Sequence, residues 1–303
     1  MKSAGNLKKK PAGATKGPKK KWWKRSMFFQ ILQRLSTNST AMFGLILLLV
    51  ISIVAIFAPV FAPYSPTKMD LDYMYAMPSL KHLCGCDEVG RDILSRLIYG
   101  ARYSLSIALI ADVVSQIIGV LIGSIIGYVG GKIDMVGMRI VDIWASVPST
   151  LLAILISTTL GAGYVNTIIA MLISNVPGGI RSTRAMCLKE READYLEAAR
   201  SVNAGPLRIM YRHMLPNIIS PTIVGTTMGI GSTIIAVAGL AYIGLGIQPP
   251  APEWGAMLAA GRNFIQKYPH MITFPGIAIA LTVLSLNLFG DGLRDALDPK
   301  MKE

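Results

Sequence analysis

Glu190–Pro216 reads EREADYLEAARSVNAGPLRIMYRHMLP, a long polar interruption between two apolar segments of a chain that is otherwise mostly apolar. Its period predicts a short amphipathic helix, a Gly-Pro break, and a second helical stretch stopped by Pro216. Tyr195, Leu196, Ala199 and Val202 fall on one face of the first helix, and Glu190, Asp194, Glu197 and Ser201 on another. Asn203, Gly205 and Pro206 suit a helix stop, because a residue tolerant of positive φ followed by proline cannot continue the ladder. A folded two-helix loop of this kind is a docking shape: small alanines let a partner approach, and carboxylates orient it. A solvated surface loop is the alternative, and composition leaves both open.

The surroundings decide what kind of chain carries this loop. Of 303 residues, 52% are hydrophobic and 16% charged, whereas soluble proteins carry about a quarter charged residues. The fold class expected is therefore an all-α integral membrane protein. The net charge of +13 is concentrated at one end. Lys and Arg crowd the first 34 residues, and the first acid is Asp70. Because this block directly precedes an apolar segment, membrane lipid with an anionic surface is the expected partner, and no nucleic acid is. Residues 1–21, rich in Lys, Pro, Gly and Ala, read as a disordered arm. Trp22-Trp23 then opens an apolar-basic run through Leu35 that suits an interfacial helix. The arm is too long, and the following apolar run too full, for a cleaved signal peptide.

Six segments are long enough to span: Met42–Phe61, Ser104–Tyr128, Met135–Leu160, Tyr164–Ile180, Ile218–Ile247 and Met271–Gly290. With the basic arm inside, an even count puts the C-terminus and the Glu190–Pro216 loop inside as well. The outer loop 62–103 carries Arg91, Arg96 and Arg102, awkward places for positive charge. In that loop Asp87 is a candidate cap for a helix with apolar residues Ile93, Leu94, Leu97 and Ile98, with Asp92 and Arg96 as an i,i+4 pair. This helix is expected to lie flat on the outer surface. Glycines from Gly225 to Gly246 suggest bends in the fifth segment, with Gly225-x-x-x-Gly229 as a small-residue contact. Pro148 and Pro177 are expected to kink the third and fourth segments. The domain division follows: a basic arm and interfacial helix over 1–40, a six-helix domain over 41–298 containing the 190–216 loop, and a tail over 299–303.

No catalytic constellation is visible. Gly131-Lys132 is followed by Ile133, so there is no Walker A loop, and the glycine pairs of the fifth segment follow no strand. His82, His213 and His270 lie in separate loops. His82-x-Cys84-x-Cys86 has soft-metal donor types, but local variation is the expected reading, and neither a metal nor any other cofactor is expected. Three cysteines give no disulfide framework. Arg139 and Asp142 are expected to pair with each other. Asp112, well inside the second segment, must face protein or water; helix packing is preferred over a place in a translocation path.

Four runs of residues carry a resemblance. Glu197-Ala198-Ala199 with Leu215-Pro216 downstream resembles the EAA loop of ABC importer permeases. Gly85 to Arg102, with Asp87, Gly90, Arg91 and Asp92 at its centre, is similar to the dipeptide/oligopeptide/nickel permease group. Gln248 to Gly255 and the ending Asn287 to Pro299 are similar to that group's C-type subunit. The resemblance covers roughly Met42 to the C-terminus. It implies a pore-forming, non-enzymatic subunit for uptake of short peptides, with Glu197, Ala198, Ala199, Asn203, Gly205, Leu215 and Pro216 in the ATPase-coupling loop. It also implies a second permease subunit, two cytoplasmic ATPase subunits and an extracytoplasmic substrate-binding protein. Nickel or another small solute is the alternative cargo. A self-contained secondary transporter would instead need coupling-ion carboxylates near the midplane, and Asp112 alone offers one. The family's usual EAA loop has glycine where Asn203 stands. Asn tolerates positive φ better than most residues, so the helix is expected to end within two residues of it.

Overall fold

Helix α1, Ser39–Ile56, starts where the Asn38 side chain accepts the backbone N–H groups of Thr40 and Ala41, a polar cap that stops the helix extending backwards. The structure is a computed structural model describing residues 33–297. The basic arm, Trp22-Trp23 and the tail 299–303 lie outside the described residues. After α1 come α2 (Ile93–Val129), α3 (Gly131–Trp144), α4 (Ser149–Leu160), α5 (Tyr164–Arg191) and α6 (Asp194–Ser201). Then follow α7 (Pro206–Tyr242), α8 (Trp254–Gly261) and α9 (His270–Leu297). Among the described residues no strand forms beyond one isolated bridge between Cys86 and Asp92.

Each of the six expected segments lands on helix. Among the described residues, α1, α2, α7 and α9 are each long and apolar enough to cross a membrane, and the α3–α4 pair makes a fifth if its two halves count as one span. That pair is bent by 68° across Ala145–Pro148. The expected kink at Pro148 is thus a full break, with Pro148 at the cap position of α4. Helix α5 is more polar than these, and packing explains how it can be. Its backbone lies against α2: a Cβ on Gly119, Gly123 or Gly127 would come within 2.6 to 2.7 Å of Gly179, Ile180 or Cys187. Side chains there face protein, so α5 needs less apolar surface of its own. This i, i+4, i+8 ladder is the principal small-residue seam. The expected Gly225–Gly229 contact is not one: Gly225 meets nothing within 4 Å, and Gly229 faces the carboxylate of Asp112.

Helix α9 packs along α1 and α7. Gly44 sits against Leu288, and Gly292 against Ala41. One end of the bundle gathers the loop 62–92, the start of α2, α8 and the start of α9. The other gathers the start of α1, the α2–α3 turn, α6 and the end of α9.

Three further expectations are corrected. The helix expected to lie flat before the second span is the first part of α2, which runs unbroken for 37 residues, about 55 Å. The fifth segment ends at Tyr242 rather than Ile247, because Gly244 leaves the helix at φ 85°. Helix α5, the fourth expected segment, continues past Ile180 to Arg191, so Glu190 belongs to it and not to the loop helix.

Candidate functional site

Helix α6 is held by its apolar stripe. Leu196 is fully buried and Ala199 nearly so, packed with Cys187 of α5 and with Ile209, Met210, Met214 and Ile218 of α7. Val202, expected on the same face, is 78% exposed. The helix has ended at Ser201, and the chain turns away before Val202 can reach the seam. Glu197, Ala198 and Arg200 point outward. Tyr195 clamps the unit from the side: its hydroxyl donates to Glu190 at the end of α5 and accepts from Asn217 Nδ2 of α7 at 2.8 Å. Desolvation, and then the Glu190 hydrogen bond, push the Tyr195 phenol up to about 12, so it remains the proton donor of that bond.

The stop after α6 is a Schellman cap. Asn203 has φ 57°, its N–H donates to the Arg200 carbonyl, and the Ala204 N–H donates back to Ala199 at 3.1 Å. Ala204 also packs into the Leu196 cluster, the apolar contact such caps carry. The helix end therefore lies where the Asn203 argument places it.

Beyond Gly205 the expectation of a helix stopped by Pro216 is corrected. The chain is helical from Pro206 to Tyr242, with a π turn over Met210–Met214, where the Leu215 N–H donates to Met210. Proline inside an α-helix removes one N–H and presses its ring on the carbonyl four residues back. A wider turn just before Pro216 relieves that contact, and the next carbonyl along, that of His213, takes the side-chain amide of Asn217. Leu215 and Pro216 thus lie inside α7 and stop nothing.

At the opposite end, Asp87, Gly90, Arg91 and Asp92 are all buried. Asp87 caps no helix. Its carboxylate holds the N–H groups of Val89 and Arg91 and the Arg91 Nε at 2.7 Å, with Arg96 Nε at 3.6 Å. Asp92 is the cap of α2, accepting from Ser95 N–H and hydroxyl, and its other oxygen lies 2.9 Å from His82 Nδ1. Asp92 therefore pairs with His82, and Arg96 with Asp87, in place of the expected Asp92–Arg96 pair. Gly90, at φ 75°, lies against the Asp70 backbone, where a Cβ would overlap the carbonyl. Arg91 and Arg96 are matched by Asp87, and Arg102 donates to the carbonyls of Ala55 and Ile56. Arg91 and Arg96 are thus paired inside the protein, whereas Arg102 stays exposed and spends its donors on backbone carbonyls. Glu253 locks α8 to α2, accepting from Ser104 and the Ala256 N–H; burial pushes its carboxyl up. Cys84 and Cys86 are buried free thiols, pushed up to about 11 and about 12 by desolvation. Among the described residues no three His, Cys, Asp or Glu side chains converge on a metal position.

Between the two ends, a cleft of about 410 Å³ opens at the α3–α4 break. Asp112 and Gln116 of α2, Trp144, Ala145 and Val147 to Ser149 at the break, Ser174, Asn175 and Arg181 of α5, and Gly229, Ser232 and Thr233 of α7 line it. Arg181 Nη2 is 2.8 Å from Asp142. Asp142 therefore pairs with a residue of α5, not with Arg139 as its spacing suggests. Nearby, Arg184 Nη2 donates to Asp134 Oδ2 at 2.7 Å. The sequence reading did not single out Gln116, Asn175 or Arg181, although polar residues in apolar segments are the signal that marks them.

Residues 119–303 match the family described as Binding-protein-dependent transport system inner membrane component. Residues 26–78 match the N-terminal TM domain of oligopeptide transport permease C. The di/tripeptide transport system permease protein DppC of Pseudomonas aeruginosa is 43% identical over 89% of this chain and 91% of its own length. The glutathione transport system permease protein GsiD of Escherichia coli O1:K1 is 43% identical over 92% of each. The dipeptide transport system permease protein DppC of Escherichia coli K12 is 44% identical over 88% and 91%. A chain of the inward-facing MetNI methionine ABC transporter superposes with a TM-score of 0.57 at 18% identity, covering 68% of this chain and 98% of that one, and shares the fold.

Proposed function

The chain belongs to the binding-protein-dependent transport system inner membrane components, and from that membership we propose that it forms half of the path by which an ATP-driven importer takes up short peptides. Relatives named for dipeptides, di/tripeptides and glutathione support that substrate class. The other half of the path is a second permease subunit. Two cytoplasmic ATPase subunits hydrolyse the nucleotide, and an extracytoplasmic binding protein delivers the peptide. The chain itself performs no chemistry. In this reading it sits in the cytoplasmic membrane with both termini and the α6 end on the cytoplasmic side.

One observation carries the coupling role. Helix α6 exposes Glu197 and Ala198 while its opposite face is packed into both α5 and α7, which run on into the bundle. A force applied to α6 is transmitted to two membrane helices through close-packed side chains, which resist compression. Glu197 orients the ATPase, and Ala198 and Ala199 keep the contact close. Asn203 and Gly205 turn the chain, and Leu215 and Pro216, inside α7, carry the motion along that helix. Asp87, Gly90, Arg91 and Asp92 brace the outer end against which that motion works.

Glu197→Lys tests the proposal, because it reverses charge on the exposed face and leaves Leu196 and Ala199 in place. The expected result is normal membrane insertion, loss of peptide uptake and weaker co-purification of the ATPase subunits. Wild-type uptake by this variant would rule out the docking role.

A further inference from the structure

The polar cleft at the α3–α4 break holds an unmatched acid. Its two charged lining residues are Asp112 and Arg181, and Arg181 already has its counter-ion in Asp142. Asp112 has none: it is 6% exposed, its Oδ1 reaches a single hydroxyl, that of Thr233 at 3.4 Å, and its Oδ2 makes no hydrogen bond. One turn further along α2, on the same face, the buried Gln116 Oε1 is also without a partner. Two buried acceptors lacking donors, four residues apart on one helix and lining one cleft, make a site for a group that only donates. Glycine keeps that face close to its neighbours: a Cβ on Gly229 would stand 2.8 Å from Asp112 Oδ2, and one on Gly179 2.7 Å from Gln116 Oε1.

We propose that Asp112 and Gln116 form a transit subsite for a primary ammonium group, the free amino terminus of the transported peptide. The charge and the donor count both favour this chemistry. A cation neutralises Asp112, and an ammonium has three N–H donors for Asp112, Gln116 and a neighbouring hydroxyl or amide such as Thr233 or Asn175. A carboxylate or phosphate would instead bring acceptors to acceptors. Asp112 thereby becomes a specificity-determining residue of the membrane path. The inference rests on the peptide-uptake reading, and it adds which end of the peptide this subunit holds.

The test uses the complete complex in proteoliposomes, with Ser232→Cys as a reporter on the cleft wall and the unsubstituted complex as the blank. Uptake of Ala-Ala is measured first, and its absence would overturn the peptide reading and this inference with it. Protection of Cys at 232 from a small maleimide is then compared in the presence of Ala-Ala and of N-acetyl-Ala-Ala. Ala-Ala is expected to slow labelling at least fivefold and the acetylated peptide less than twofold, with Asp112→Asn removing the difference. Equal protection by both peptides, no protection by either, or a difference that survives Asp112→Asn would overturn the subsite while leaving peptide uptake standing. If Asp112→Asn fails to assemble, Gln116→Leu carries the same comparison, because it removes the second acceptor and leaves the carboxylate.

Discussion

Replacing Leu196 by alanine would remove the one fully buried side chain of α6. Leu196 packs among Cys187, Ile209, Met210, Met214 and Ile218. Leu→Ala at closely packed positions costs about 2–5 kcal/mol. Helix α6 sits at the bundle's rim, where the cavity can partly collapse, so the low part of that range applies, about 2–3 kcal/mol. An eight-residue helix has little stability of its own in water, so the cost falls on its seating rather than on the bundle. At 1.4 kcal/mol per factor of ten, the opening equilibrium of α6 rises roughly 30- to 150-fold. Amide hydrogen exchange reads this directly: the protected amides of α6 should exchange faster by about that factor, and those of α2 should not change. Uptake should fall while the subunit still inserts and co-purifies with its permease partner. An increase below about threefold at α6, or an equal increase throughout α2, would refute the idea that Leu196 seats a locally stable coupling helix.

Asn203→Gly should be nearly silent, since the position has φ 57°, whereas Asn203→Val should cost about 1–3 kcal/mol at the cap and lower uptake; equal uptake by the two would remove the cap from the account. Gly123→Leu should abolish stable expression, because a Cβ there already meets the Ile180 carbonyl at 2.7 Å, while Gly225→Leu should be tolerated; the reverse order in a detergent-stability assay would refute the seam. Cys84 and Cys86 should resist maleimide at pH 8 in the folded complex, because burial holds both thiols protonated well above that pH; labelling as fast as in denaturant would contradict their burial.

The sequence announced its elements more clearly than its partnerships, and the reason is physical. Apolar length and polar interruption are local properties, so the helices and the turn at Asn203 could be read directly, although the Glu190–Pro216 loop was drawn too long at both ends. Ion pairs are settled by which helices come together. Asp142 has Arg139 three residues away, yet takes Arg181 from α5; Asp92 has Arg96 one turn on, yet takes His82 from the preceding loop. Neither choice is visible along one strand of sequence. The GxxxGxxxG ladder from Gly119 to Gly127 was legible in principle, but equal glycine spacing at Gly225 competed with it, and only packing separates the two. The cleft residues were hidden for a similar reason: Gln116 lies some sixty residues from Asn175 and Arg181 in the chain, and the α3–α4 break that opens a space beside them looks in sequence like a kinked span.

The wide turn at Met210–Met214 fixes an angular phase. One residue advances an α-helix by about 100°, and a π turn holds an additional residue without passing that rotation on. The part of α7 that grips Leu196 from before the turn, through Ile209 and Met210, is therefore set separately from the part after it, which brings Ile218 to the same cluster and Gly229 and Thr233 to Asp112. Deleting one residue of this turn would not shorten the helix noticeably, but it would force a choice of register. Keeping Ile209 and Met210 on α6 would swing Ile218, Gly229 and Thr233 about 100° out of place, and keeping those three in place would pull Ile209 and Met210 off α6. The turn acts as the indexing joint between the end of the bundle that receives force and the part that lines the cleft.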